Sequence, residues 1–584
     1  MLMTSTGVVL GINDSHDAGV AVLRDGELVY AVNEERLNRV KMANGFPTLS
    51  LRAALSEAGI TASEVQHVGI AALTPGGGDI PANNDLTDKH GRHSWAQKAA
   101  EVVDSMPLGG YLMSTNGGAA LYRAKLLSRS ASRKRRAKEH LKEFGIDCAI
   151  STLDHHDAHL SSAYYLANAP DSLVISNDFF GDGICSKVAV GNPETYGLKV
   201  IATNSFYNSL GAYYNYVTLF CHSNKSHHAG KTTGLAAFGD PNKTLSIFQE
   251  FLSWDESVGM YRNHGGIFRN CIESLRTRLK GYSREDMAAG IQKHSEDILT
   301  KMVSHYMKKT NRRRIVLAGG VHANVKINQR IAELPGVEEL FVFPNMGDGG
   351  LCVGAAYAAE ATRLGRNPSP RTLKHVFLGS AFSDEQIAEA LNRENISFTR
   401  PENIAHEVAR LLAEQKIVAR FDGAMEFGPR ALGNRSILYP ATDAGINKRL
   451  NEQLNRTEYM PFAPVLRERD ANQFLKNCTP VNIHSAEYMT VTYDVTDRCK
   501  REAPAVVHVD GTARPQVLVR NFNPSYYDIL EMYQQLTGLS VLVNTSFNMH
   551  EEPIVCTPTE AIRAYEESRL DALAIGPYLV RRLN

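Results

Sequence analysis

The 584-residue chain has no excess of charge of either sign: 63 Lys and Arg residues balance 63 Asp and Glu. A dedicated nucleic-acid or anionic-membrane binder needs a basic field, so this balance argues against both classes. There is no CxxC pair among the eight cysteines, Cys148, Cys185, Cys221, Cys271, Cys352, Cys478, Cys499 and Cys556. That excludes a zinc ribbon and predicts scattered reduced thiols in place of a disulfide framework. No run approaches the roughly 20 apolar residues that cross a bilayer. Residues 1–10 lack a basic segment ahead of their short apolar run, so they read as a first strand and not as a signal peptide. A cytoplasmic location is expected. Hydrophobic residues at 43% and charged residues at 22% are the balance of an ordinary globular protein, and the length exceeds one typical domain.

What is present is a rhythm that occurs twice. Residues 8–12, 19–23 and 28–32 read as strands, separated by a polar turn at 13–17 and a tight turn at 24–26. About 165 residues later the pattern returns, with strands at 173–176, 186–190 and 198–202 and an acidic, glycine-rich turn at 177–183. Two copies of strand, acidic turn, strand, turn, strand predict a duplicated α/β architecture. The actin-like ATPase fold is built that way; two unrelated hairpins are the alternative. Residues 123–142, centred on Arg133, Lys134, Arg135 and Arg136, read as a solvated helix face, with contact to RNA or an anionic substrate as the competing reading.

A strand at 314–318 runs into Gly319, Gly320, Val321, His322, Ala323 and Asn324 and then a helical stretch to 334. Another strand at 340–343 leads into a glycine-rich turn at 345–350 and an alanine-rich helix over 351–364. The Gly/Pro/Ser stretch 365–370 breaks the chain. It sets the expected units at 1–366 and 374–584, the second with strands at 417–421, 506–509 and 539–543.

Three groups of residues could carry chemistry. In Asp154-His155-His156-Asp157-Ala158-His159, the spacing of His155 and His159 puts two imidazoles on one helix face, able to converge on a metal ion. The helix is expected over 157–166, so the pair meets only if it starts early. Mixed nitrogen and oxygen ligation suits Fe(II), Mn(II) or Zn(II), and spacing does not choose among them. Asp178 and Asp348, each at a glycine-rich strand end, complete the set if folding brings them near; a polar helix start without a metal is the alternative. Gly319 and Gly320 allow a phosphate close to the backbone. Lys231, in residues 229–234, offers a point charge in a segment that lacks the full GxxxxGK[ST] spacing and otherwise reads as a flexible loop. In the C-terminal unit, Arg430 and Arg435 sit on a glycine-interrupted turn and can fork onto phosphate or carboxylate oxygens. Residues 508–514 and 544–548 follow strands and add Arg514 and Asn544. Together these suit a small anion carrying an amide; singly, each reads as surface ion pairing.

Nine blocks taken in order are more specific: SHDAGVAVLRDGELVYAVNEERLNR, HHDAHLSSAYY, GKTTGLAAFGD, AGGVHANVKINQRI, GDGGLCVGAAY, EFGPRALGNRSIL, MPFAPV, HVDGTARPQ and NTSFN followed by EPIV. Over essentially its full length the sequence resembles the O-carbamoyltransferases of the nodulation-protein and antibiotic-tailoring family. The resemblance implies an α/β protein: an actin-like duplicated domain, shared with the tRNA threonylcarbamoyl transferases, followed by a YrdC-like α/β domain. It implies that carbamoyl phosphate and ATP, with Mg for the ATP, give carbamoyl adenylate in the C-terminal domain. A hydroxyl of a small natural-product or sugar-like acceptor then takes the carbamoyl group in the N-terminal metal site and AMP leaves.

The same resemblance assigns residues. His155, His159, Asp178 and Asp348 would hold the metal, an iron in the best analogues. His16 would help the acceptor hydroxyl lose its proton, with Asp14 and Lys41 as further catalytic positions. Lys231, Gly319, Gly320, Asn324, Gly347 and Asp348 would meet the nucleotide. Arg430, Arg435, Arg456, Arg514, Asn544, Ser546 and His550 would hold carbamoyl phosphate or the adenylate. Three departures stand out: Asn455-Arg456-Thr457 with Met460 replaces a frequent Lys-Arg-Glu and Arg; Glu551 replaces a frequent Gly, after His550; and Ala229 stands where Glu commonly precedes Gly-Lys. The first two alter the carbamoyl phosphate clamp. Competing readings are a tRNA-modifying carbamoyl-type transferase, a non-catalytic actin-like ATP-binding regulator and a plain sugar kinase, the last leaving the C-terminal unit unexplained. The acceptor pocket is expected in loops without a motif, such as 74–93. A homodimer is compatible with these expectations; a membrane or nucleic-acid partner is not expected.

Overall fold

The computed structural model describes residues 7–73, 115, 117, 120, 123–124, 130–222, 228–267, 269–454 and 460–582. The chain divides into two compact units. One comprises Met1–Leu28, Asn44–Pro47 and Ile60–Thr372; the other Val29–Ala43, Thr48–Gly59 and Leu373–Asn584. The main division thus falls just after the Gly/Pro stretch, and two short N-terminal segments belong with the C-terminal unit.

The first unit is built on two five-stranded sheets. Its strands are β1 (Val8–Asn13), β2 (Gly19–Arg24), β3 (Glu27–Asn33, of which the residues from Val29 on group with the second unit), β4 (Val65–Ala71), β5 (Ala149–Leu153), β6 (Leu173–Gly181), β7 (Ile184–Gly191) and β8 (Leu198–Ser205). A separate hairpin of β9 (Leu252–Asp255) and β10 (Met260–Asn263) follows, then β11 (Arg314–Ala318) and β12 (Glu339–Val342). The sheet orders are β3-β2-β1-β4-β5 and β12-β11-β6-β7-β8. In each sheet an antiparallel hairpin comes first, β1 with β2 and β6 with β7. The leading strand then pairs parallel with a later one, β4 or β11, which pairs parallel with the last. The same topology occurs twice, which is the duplicated α/β plan expected from the sequence rhythm. Every residue of β1 is buried, because a strand inside a sheet covered on both faces loses the polar alternation of a half-exposed one.

Helix Leu351–Leu364 fixes the geometry between these sheets and the helix His155–Tyr164. A Cβ at Gly11 of β1 would lie 1.9 Å from the Cys352 carbonyl oxygen, and a Cβ at Gly354 would lie 1.9 Å from that of Ala158. Backbone therefore rests on backbone at both faces. Small residues, Ala71, Ala158 and Ala355, with Leu351 fill the contact. The helix ends at Gly365, in the left-handed conformation with φ 64°.

The second unit carries a seven-stranded mixed sheet in the order β18-β15-β19-β14-β13-β20-β21. Its strands are β13 (Val418–Phe421), β14 (Arg435–Pro440), β15 (Ala463–Arg467), β16 (Tyr493–Asp494), β17 (Thr512–Ala513), β18 (Gln516–Leu518), β19 (Val541–Ser546), β20 (Ala572–Ile575) and β21 (Tyr578–Arg581), with β16 and β17 forming a small separate ladder. The segment 33–39 is built into this unit. Arg36 Nη2 donates to the Gly428 carbonyl at 2.7 Å, and Arg39 donates to those of Pro553 and Ile554 at 2.6 and 2.8 Å. The Glu34 carboxylate accepts from the amides of Leu49 and Ser50 at 3.0 and 2.7 Å, capping helix Thr48–Glu57.

Three expectations are corrected. Helix His155–Tyr164 starts two residues earlier than 157, because Asp154 caps it. Residues 229–234 lie in helix Ala229–Leu235 and not in a phosphate loop. The strand expected at 506–509 is absent: Pro504–Val506 is a helical turn, and Gly511, at φ 76°, reverses the chain with its amide donating to His508 at 2.9 Å. All eight cysteines are free thiols. Among the described residues no helix is long and apolar enough to cross a membrane.

The backbone contact at Gly354 gives a stability test. Gly354→Val should destabilise the first unit by about 3 kcal/mol, since neither helix can yield without moving main chain. Gly230→Ala, at a helical position with nothing within 4 Å of the added carbon, should be neutral or slightly stabilising. Thermal unfolding of both variants checks this.

Candidate active site

Four side chains from three elements of the first unit converge. His155 and His159 lie one turn apart on helix His155–Tyr164. Its N-cap Asp154 accepts from the amides of His156 and Asp157 at 2.9 and 3.2 Å. Asp178 lies at the end of β6, where residues 178–180 bulge between the pairs Asn177↔Ser186 and Gly181↔Ile184; a bulge of this kind re-aims side chains. Asp348 opens the turn that feeds helix Leu351–Leu364. His155 Nε2 is 3.3 Å from Asp178 Oδ2 and 3.5 Å from Asp348 Oδ1. His159 Nε2 is 3.5 Å from Asp348 Oδ1 and 3.9 Å from Asp178 Oδ2. All four donor atoms lie within 4.8 Å of one another.

These residues fit a divalent metal ion. Ligands bonded to one ion at about 2.0–2.2 Å sit about 3.0–3.6 Å apart, close to the separations here. Both ring nitrogens of His159 are buried without a hydrogen bond, which an ion would relieve at one of them. With neutral imidazoles the cluster carries two negative charges, matched by a dication. Without one, burial works to lower the His155 imidazole, but Asp348 and Asp178 outweigh it and lift it to about 9.

The surroundings hold the donors in place. Gly320 N–H donates to Asp178 Oδ1 at 2.8 Å, and Asn13 Nδ2 donates to the Asp348 carbonyl at 3.0 Å. Asp182 Oδ2 accepts from the His155 amide at 2.9 Å. A Cβ at Gly181 would lie 2.1 Å from His155 Cγ, so glycine makes the cradle for that ring. Buried Lys187 bridges Asp154 and Asp157 at 2.7 Å each, and Arg123 reaches Asp154 at 2.6 Å. His156 plays a different part: its ring bonds Ser176 Oγ and the Ile184 carbonyl, both at 2.9 Å, inside the core.

His16 Nδ1 lies 3.1 Å from Asp17 Oδ2, and this bond raises its imidazole to about 9. Asn13 Nδ2 also donates to the His16 carbonyl at 2.8 Å, so one amide ties the His16 turn to the Asp348 segment. Asp14 is paired with Arg133, which also donates to the Ala72 carbonyl. The basic run therefore splits: Arg133 is a buried anchor, while Lys134, Arg135 and Arg136 are exposed. Lys231 is buried on its helix. Asn324 caps helix Val325–Ala332, accepting from the Ile327 amide at 3.2 Å, and donates to Gln292 Oε1 at 2.7 Å. Gly319 takes φ 94°, and Gly347 precedes the Asp348 turn. Lys41 is exposed, in a segment of the second unit.

In the second unit, the turn 426–436 is organised by Glu426, a buried residue not singled out from the sequence. Its Oε1 accepts from the amides of Leu432, Asn434 and Arg435 at 2.8, 2.8 and 3.1 Å. Arg435 is fully buried; its terminal nitrogens donate to the carbonyls of Asp422, Gly423, Asn434 and Ser380, and its guanidinium stacks on Phe421 at 3.7 Å. Burial lowers it to about 10. It braces the turn through its terminal nitrogens, while its Nε is buried without an acceptor. Arg430 and Arg514 are half-buried. Asn544 Nδ2 donates to Gln516 Oε1 at 2.8 Å and to the Ala431 carbonyl at 3.2 Å, while its Oδ1 is buried without a donor. Ser546 closes β19. His550 Nε2 lies 3.6 Å from Glu551 Oε1. Arg456 lies outside the described residues, as do residues 74–93.

Residues 8–357 match the family model for the carbamoyltransferase N-terminus and residues 409–582 that for the carbamoyltransferase C-terminus. The chain belongs to the carbamoyltransferase family. This carbamoyltransferase is 30% identical to nodulation protein NolNO of Sinorhizobium fredii, over 97% of its own length and 79% of that protein. It is 34% identical to nodulation protein NolO of Bradyrhizobium diazoefficiens, over 74% and 79%. A crystal structure of component A of the Acidaminococcus fermentans (R)-2-hydroxyglutaryl-CoA dehydratase aligns at 15% identity and a TM-score of 0.33, over 62% of this chain and 100% of that one.

Two substitutions test the supports of this carbamoyltransferase. Lys187→Met takes the shared cation from buried Asp154, leaving it Arg123 alone, and from half-buried Asp157, and should destabilise the first unit by about 3 kcal/mol, read by thermal unfolding. Glu551 holds φ 60°, a conformation glycine takes without strain, so Glu551→Gly should stabilise the second unit by about 1 kcal/mol in the same measurement.

Proposed function

We propose that this carbamoyltransferase is ATP-dependent and modifies a hydroxyl of a small acceptor. The second unit forms carbamoyl adenylate, and the metal site of the first consumes it. Carbamate is a poor electrophile because its nitrogen donates into the carbonyl; joining it to AMP supplies a good leaving group. Carbamoyl phosphate, ATP and water give carbamoyl adenylate, phosphate and pyrophosphate. The acceptor oxygen then attacks the carbamoyl carbon, its bond to AMP breaks, and a carbamate ester and AMP are released.

The observation that carries this reading is the convergence of two imidazoles and two carboxylates within 4.8 Å in a chain of this family. His155, His159, Asp178 and Asp348 would hold a divalent ion, Fe(II) by resemblance with Mn(II) or Zn(II) compatible, which would neutralise charge on the phosphate of the departing AMP. His16 takes the proton of the acceptor hydroxyl. Asp17 orients its ring and holds the proton once it is transferred. In the second unit, Arg430 and Arg514 carry the charge to meet phosphate oxygens. Asn544 Oδ1, buried and without a donor, matches the NH2 of a carbamoyl group; leaving such an acceptor unmet costs about 1–3 kcal/mol.

Incubation with carbamoyl phosphate, ATP, Mg and a metabolite extract should release pyrophosphate and give products heavier by one carbamoyl group, read by mass spectrometry. Neither signal, with a folded and metal-loaded protein, would overturn the reading. The pH dependence follows from the raised imidazole. His16 must be neutral to accept a proton, so the transfer rate should climb with pH towards about 9. Removing the raising carboxylate in Asp17→Asn should move that limb down, towards the ordinary histidine value near 6.5. A limb unchanged by Asp17→Asn would remove His16 from this role.

A further inference from the structure

His322 has no part in the chemistry above, yet it is fully buried and bonded to the residue that precedes Asp178. It lies on the turn Gly320–Ala323, between β11 and helix Val325–Ala332. Its hydrogen bonds can be assigned donor by donor. The Tyr261 hydroxyl donates to Asn177 Oδ1 at 3.2 Å, so Asn177 presents Nδ2 as the donor to His322 Nε2 at 3.1 Å. His322 Nε2 accepts, and Nδ1 therefore carries the proton, 3.1 Å from Asn328 Oδ1. Asn328 Nδ2 donates back to the His322 carbonyl at 2.7 Å. The chain of bonds runs from the residue preceding Asp178 to the helix that follows the turn.

The start of the same turn bonds one residue of the cluster directly and the chain leading to another. Gly320 N–H donates to Asp178 Oδ1 at 2.8 Å. Gly319 N–H donates to the Met346 carbonyl at 2.7 Å, two residues before Asp348. Gly319 also lies so close to β6 that a Cβ on it would be 2.1 Å from the Asn177 carbonyl oxygen. We propose that His322 is a positioning residue for the metal cluster: by clamping the end of β6 to the 320–323 turn, it sets the Gly320 N–H against one oxygen of Asp178 and leaves the other aimed at the ion. Partners of this outer kind typically change metal affinity 10–100-fold. The inference rests on the reading of the four residues as a metal site.

The test uses the full chain, stripped of metal and titrated anaerobically with Co(II) while its visible absorption is followed. Wild type is compared with His322→Leu, His322→Gln and Asn328→Ala, with thermal unfolding of each metal-free form alongside. His322→Leu should bind Co(II) at least tenfold more weakly, with an altered absorption band. His322→Gln, which keeps an acceptor for Asn177 and a donor for Asn328, should return affinity to within about threefold of wild type. Asn328→Ala should weaken binding severalfold while remaining folded. A folded His322→Leu protein with wild-type affinity and spectrum overturns the proposal; if that variant does not fold, the same result from Asn328→Ala does so. Wild type that binds no Co(II) overturns the metal reading and this inference with it.

Discussion

Two carboxylates, the buried Asp178 and the partly buried Asp348, lie within 4 Å of the imidazoles of His155 and His159, and the first unit is arranged around keeping them there. Like charges repel, and burial works to push the Asp178 carboxyl towards protonation, but the imidazoles of His155 and His159 outweigh it and hold that carboxyl well below its ordinary value. The fold answers with fixed donors: the Gly320 amide on Asp178 and the Asn13 amide on the Asp348 main chain. The strand that carries Asn13 is in turn fixed by backbone packing. Helix Leu351–Leu364 touches β1 at Gly11 and helix His155–Tyr164 at Gly354, leaving no space for a side-chain carbon at either contact.

The second unit meets the problem of an anion differently. Its turn 426–436 is preorganised around one buried carboxylate and one buried guanidinium, Glu426 and Arg435, both satisfied largely by main chain. Each contributes rigidity, since it ties several main-chain groups of the turn to one buried side chain. The groups that the proposal assigns to a ligand are the half-buried Arg430 and Arg514 and the buried Asn544 carbonyl. Segment 33–39 braces the same unit through Arg36 and Arg39, which is why a block near the start of the chain travels with blocks near its end.

Local order was legible in the sequence, and tertiary approach was not. The alanine-rich helix over 351–364 could be read to its last residue, because Gly365 marks its end. The duplicated sheets showed in their hairpins, whose turns lie a few residues from the strands they join. The HxxxH spacing reports helical geometry and needs no knowledge of the fold. The bulge that turns Asp178 inward, the amide of Asn13 and the buried anchor Arg133 depend on partners up to hundreds of residues away, and no periodicity signals them. Arg435 and Arg430 look alike in a motif; only burial separates the fully buried brace from the half-buried cation. The strand expected at 506–509 failed for a local reason that was visible, with Pro504 before it and the Asp510-Gly511 turn within reach.

The most direct test of the account is X-ray absorption at the metal edge of the loaded full-length protein. The structure predicts one ion per chain with light-atom neighbours at about 2.0–2.2 Å and the outer-shell scattering of two imidazoles, from His155 and His159. A sulfur neighbour, or a first shell with no imidazole scattering, would contradict it.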